Sequence, residues 1–244
     1  MRMLALYSIK GGVGKTASAV NLAAQAARAG YRVLLWDLDP QAATSFYLRT
    51  KPKVRGGVEK LVKGKASFDK VIRATQMENI DLLPAALASR EMDRLLAKRG
   101  NSHLRQILKP VRDDYDLVIL DCPPSLSHLS ENIFSSVDAL LVPVVPTTLS
   151  LRTLEQLRDF LDDRDQDCTF WPFITLADRR RKLHCEVIDT MQAQWPLMLS
   201  TVIPSASVVE RMGLERAPVH AFAPRSVAAR NYQALWHELD QRLG

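Results

Sequence analysis

The stretch MLALYSIKGGVGKT, residues 3–16, decides the fold. Met3 to Ser8 is an uninterrupted apolar run of strand length, and from Thr16 to Ala29 the apolar residues recur at helical spacing, with Gly30 closing the helix. Between them Lys10, Gly11, Gly12, Val13, Gly14, Lys15 and Thr16 fill the turn from strand to helix, followed by Ala17. Glycines at such a turn let backbone N–H groups approach phosphate oxygens, and the helix adds its positive end. Lys15 is then placed for the β- and γ-phosphates and Thr16 for Mg²⁺. The general phosphate-loop pattern opens on Gly, and this chain departs from it with Ile9 and Lys10.

Outward from that unit, Arg32 to Asp37, Ile80 to Pro84, Asp116 to Asp121, Ala139 to Pro143, Phe170 to Leu176 and Leu199 to Ile203 read as further apolar strands. Uninterrupted apolar strands are buried on both faces, and helical segments between them imply right-handed crossovers. The expected fold class is α/β: a doubly wound, mainly parallel sheet with helices on both faces, formed by residues 1–244 as a single domain. The basic, Gly-containing stretch from Thr50 to Lys65 reads as a surface excursion. The helix from Arg230 to Leu243 carries Tyr232, Leu235, Trp236, Leu239 and Leu243 on one stripe, which reads as core packing.

The chain has 244 residues, 47% of them hydrophobic, enough for a full core. No apolar run is long enough to cross a bilayer, and the start runs into glycine-rich loop chemistry instead of a cleavage site. A cytoplasmic protein is expected. Cys122, Cys168 and Cys185 form neither a disulfide framework nor a CxxC pair, and the histidines at 103, 128, 184, 220 and 237 lack metal-ligand spacing. A formal net charge of +6 is compatible with a polyanionic partner without demanding one.

Two acidic constellations accompany the loop. Asp121 ends the apolar strand LVILD, where a phosphate-loop enzyme keeps its Mg²⁺-linked carboxylate. Asp37 and Asp39 alternate in DLDPQ, after another strand. Either is suited to orient an attacking water, and Asp39 is the favoured candidate. A structural Asp-Pro turn is the other reading of that carboxylate.

SIKGGVGKT, VLLWDLDPQ, YDLVILDCPPS and ALLVPVVPT together resemble the ParA/MinD group of deviant Walker ATPases, closest to the ParA-type positioning enzymes. The resemblance implies ATP and Mg²⁺ as cofactors and a homodimer formed on ATP binding. Lys10 matches the lysine that crosses to the other copy's phosphates, Lys15 the ordinary loop lysine, and Asp39 the hydrolysis aspartate. Thr16 and Asp121 match the metal positions with Asp37 beside them, and Pro204 falls where the family packs near adenine. ParA-type members bind DNA without sequence preference, associate with the nucleoid, and answer to a stimulating adaptor that is ParB-like or specific to the cargo. Arg179, Arg180, Arg181 and Lys182 form the basic run that fits such a surface, and a solvated loop is its plain alternative. Val208 occupies a position that is arginine in relatives, for which Arg211 or Arg216 is placed to compensate.

Relatives of the MinD kind bind membrane through a basic C-terminal helix. Here Glu238 and Asp240 lie with Arg242 on that helix, so no membrane partner is expected. Amide-forming ligases such as diamide or dethiobiotin synthases share the fold, and the sequence offers no support for their substrate pocket. A reductase like the nitrogenase iron protein needs paired cluster cysteines, which are lacking.

Overall fold

A computed structural model describes residues 1–51, 57–85, 89–98, 102–163 and 168–244. The strands are β1 (Arg2–Leu6), β2 (Val33–Asp37), β3 (Arg73–Ala74), β4 (Ile80–Leu83), β5 (Leu117–Asp121), β6 (Ala139–Val144), β7 (Thr169–Ala177) and β8 (Val202–Pro204). The helices are α1 (Lys15–Arg28), α2 (Ala43–Tyr47), α3 (Gly57–Val62), α4 (Ser89–Leu96), α5 (His103–Ile107), α6 (His128–Phe134) and α7 (Thr148–Asp162). They continue with α8 (Lys182–Gln194), α9 (Ser207–Glu210), α10 (Met212–Glu215), α11 (Val219–Phe222) and α12 (Val227–Leu243).

One sheet runs in the order β3-β4-β2-β5-β1-β6-β7-β8. Every neighbouring pair is parallel except β3 with β4. Successive residues of a strand point to opposite faces. On one face Ala5, Trp36, Val118, Leu140 and Ile174 join a core with residues from α4 to α8. On the other Leu4, Leu35, Ile119, Leu141 and Phe173 pack with α1 and α12. Each such fully buried Val, Leu, Ile or Phe side chain contributes about 1.5–3 kcal/mol. This is the doubly wound α/β class expected from the apolar runs.

Two local expectations are corrected. The last strand starts at Val202, where the register with β7 begins, although Leu199 already donates its N–H to Pro172 O of β7. Of the stretch expected to be a surface excursion, residues 52–56 lie outside the described residues, and its later part is not superficial: α3 buries Leu61 and Val62 in the core. Of the basic run, Lys182 is the first residue of α8. The C-terminal stripe is buried as expected, with α12 docked beside α1.

Candidate nucleotide and metal site

Because the strands are parallel, their C-terminal ends share one edge, and the strand order reverses at β1, where crevices form in doubly wound sheets. The register sets Leu6, Asp121 and Asp37 side by side across β1, β5 and β2. The loop after β1 therefore lies against the carboxylate row.

Gly12 and Gly14 hold the loop's turn with φ of 71° and 84°, a left-handed backbone that side chains rarely adopt. Gly14 caps α1 without a side chain, leaving the helix's first N–H groups directed into the loop. The Val13 carbonyl is pinned from β7 by the Thr175 hydroxyl at 2.8 Å. Lys15 is 7% exposed, and its Nζ donates to Lys10 O at 3.2 Å. Burial lowers its pKa, opposed chiefly by the charge of Asp121. An anion in the loop would favour the ammonium form. Thr16 and Ala17, both half-buried, follow in the first turn of α1.

Asp121 is fully buried, with one oxygen accepting from Thr44 Oγ1 at 2.7 Å. The other, Oδ1, has no hydrogen-bond partner, although the Thr16 hydroxyl lies close enough to favour the carboxylate. Burial raises its pKa to about 6. Asp37, 1% exposed, is raised to about 7 by burial and then by Asp121. A buried carboxylate oxygen without a donor is costly. One carboxylate and one hydroxyl beside a phosphate loop are the usual protein share of a Mg²⁺ site, the rest coming from nucleotide oxygens and water. Thr16 and Asp121 fit that share. Asp37 fits less directly: its Oδ2 accepts from the Ser45 N–H at 3.0 Å and hydroxyl at 2.8 Å, and its Oδ1 from the Asp39 N–H at 3.3 Å. It organises the turn that carries Asp39.

Asp39 is half-buried, accepts from Gln41 N–H at 3.0 Å, and acts electrostatically on both Lys15 and Asp121. Lys10 lies across the loop mouth with Nζ 3.3 Å from Ser150 Oγ on α7. Pro204 ends β8 on the same edge, partly exposed.

The cationic candidates stand apart from this centre. Arg180 spans Asp178 with bonds of 2.9 and 3.0 Å, and that pairing lowers the Asp178 pKa to about 2. Lys182 lies 3.5 Å from Glu186, Arg211 pairs with Glu215 at 2.5 Å, and Arg179 and Arg181 are exposed. Thr44, Ser45, Ser150 and Thr175 are site residues that the sequence reading missed. The adjacent hydroxyls of Thr44 and Ser45, directly after the Asp-Pro turn, were the available signal.

A family model described as an AAA domain matches residues 1–168. The sporulation initiation inhibitor protein Soj of Bacillus subtilis is 32% identical, with 98% of each chain covered. The chromosome-partitioning ATPase Soj of Treponema pallidum is 31% identical over 100% of this chain and 98% of its own. Cobyrinic acid a,c-diamide synthase of Mycobacterium smegmatis, solved with an ATP analogue and magnesium, superposes with a TM-score of 0.83 at 27% identity, covering 100% of this chain and 96% of that one. Among the described residues no helix is long and apolar enough to cross a membrane. With the phosphate loop and carboxylate row at the strand-order reversal, and relatives matched from end to end, the chain belongs to the ParA/MinD family of P-loop ATPases.

Proposed function

We propose that this chain is a ParA-type positioning ATPase. Two copies loaded with Mg²⁺ and ATP close face to face, each Lys10 reaching the other copy's phosphates, and their joined cationic surfaces hold DNA without sequence preference. An adaptor protein then stimulates hydrolysis and releases the pair. The observation that carries this reading is the assembly of Lys10, Lys15, Thr16, Asp39 and Asp121 on one sheet edge. Lys15 and Thr16 would hold the nucleotide and, with Asp121, its Mg²⁺, which supplies charge neutralisation at the phosphates. Asp39 would orient the attacking water, and Pro204 would pack near the base.

A second cation reaching phosphate from another copy neutralises developing charge as an arginine finger does. It also explains why nucleotide binding and pairing would be coupled. The burial of Tyr232, Leu235, Trp236, Leu239 and Leu243 supports a DNA partner over a membrane one, since it leaves α12 no apolar face for lipid. The likeness to a diamide synthase keeps an amide-forming ligase as the competing reading. ATP turnover without any amide acceptor separates the two. The pairing is tested by sedimentation equilibrium of Asp39→Ala with Mg²⁺ and ATP: a dimer mass is expected, and a monomer at every nucleotide condition would sink the sandwich.

A further inference from the structure

Helix α2 grips both carboxylates of the site from one end. Thr44, fully buried, donates to Asp121 at 2.7 Å, while Ser45, equally buried, donates twice to Asp37. The bond from Thr44 occupies one Asp121 oxygen and leaves Oδ1 among the buried atoms without a hydrogen-bond partner, near the Thr16 hydroxyl. A carboxylate pivots about its side-chain torsion, so a donor fixed to one oxygen sets where the other points. The orientation of Oδ1 is thus set by a residue 77 positions away in sequence.

The other end of α2 is fixed just as definitely. Arg49, with φ of 54°, donates to the carbonyls of Glu215 at 2.8 Å and Arg216 at 3.4 Å. Arg216, with φ of 49°, donates back to Phe46 O at 2.9 Å, and its guanidinium lies 4.7 Å from the Phe46 ring centroid. Two non-glycine residues in the left-handed region cost free energy, and such strain persists only where the surroundings over-determine it. Gly213 of α10 lies beside the Tyr47 ring, where even a Cβ would sit at an ordinary contact distance of 4.0 Å. A five-residue helix has little stability of its own. It is held at one end by the carboxylates and at the other by α10, in the segment that follows β8.

We propose that α2 is a positioning strut for the metal site: Thr44 orients Asp121 so that Oδ1 is free for a cation, and the Arg49–Arg216 clasp with α10 holds Thr44 in place. Thr44 touches neither nucleotide nor metal in this scheme and is a positioning residue. The inference rests on the nucleotide-site reading above. Partners that orient metal-binding carboxylates typically contribute about 10–100-fold in metal affinity.

The test is binding of fluorescent ADP titrated with Mg²⁺. Thr44→Val, which keeps the shape and removes the donor, should raise the Mg²⁺ concentration needed for half of the Mg²⁺-dependent gain by about 10–100-fold. Its affinity for ADP without Mg²⁺ should stay at the wild-type value, and Thr44→Ser should restore the wild-type response. Arg216→Ala, at a half-buried position away from the carboxylates, should shift the Mg²⁺ requirement in the same direction by less. An unchanged Mg²⁺ requirement in folded Thr44→Val, or equal weakening of ADP with and without Mg²⁺, would overturn the positioning role. An unchanged requirement in Arg216→Ala would overturn the strut, and that variant decides the matter if Thr44→Val does not fold. Failure of the wild-type protein to bind ADP would instead refute the nucleotide site.

Discussion

At β2 and β5, Asp37 and Asp121 lie buried side by side, each held by a hydroxyl from α2. Toward β7 and β8, Arg180 and Arg211 stand in solvent, paired with Asp178 and Glu215 of their own segments. The first region places charge where water cannot stabilise it, so every polar atom needs a fixed partner or a ligand. The second keeps its charges hydrated, and its ion pairs are of the exposed kind that contribute little. A site of the first kind is specified by the fold. A surface of the second kind exchanges partners at small cost, as sequence-blind attraction to a polyanion requires.

This contrast can be broken at several points, beginning with the largest effect. Lys15→Ala should reduce ATP affinity by at least about 100-fold, or about 2.7 kcal/mol, by calorimetry. Normal affinity would remove the loop from the account. Asp39→Ala should keep ATP binding while steady-state turnover falls by about 100-fold or more. Unchanged turnover would reduce Asp39 to a turn residue. Lys10→Ala should retain nucleotide yet give no dimer mass with Mg²⁺ and ATP, and a dimer would refute the crossing lysine. Arg180→Ala should have the smallest effect: a modest loss of DNA affinity at every sequence, with the salt slope reduced by about 1. A sequence-dependent loss would mean that the cationic region reads bases.

The same contrast explains what the sequence made legible. Strands buried on both faces must be continuous apolar runs, so β1, β2, β5 and β6 were readable to within a residue or two. The phosphate loop was readable because its chemistry needs adjacent residues. β3 is a two-residue antiparallel strand and has no pattern to detect. The grip of Thr44 on Asp121 joins distant segments, and only the register of β2 beside β5 brings them together. Arg179 to Lys182 was visible as charge, but not the folding of Arg180 onto Asp178, which depends on the turn before α8. Leu61 and Val62 were hidden by the basic residues around them.

The most direct test of the account is binding of the purified protein to duplex DNA of unrelated sequences, with ATP, ADP or no nucleotide and Mg²⁺ throughout, at two salt concentrations. The account predicts binding in the ATP state alone, indifferent to sequence, and weakening with salt at a slope of about −0.9 per phosphate contact. Equal affinity in all three nucleotide states, or no binding in any of them, would contradict it.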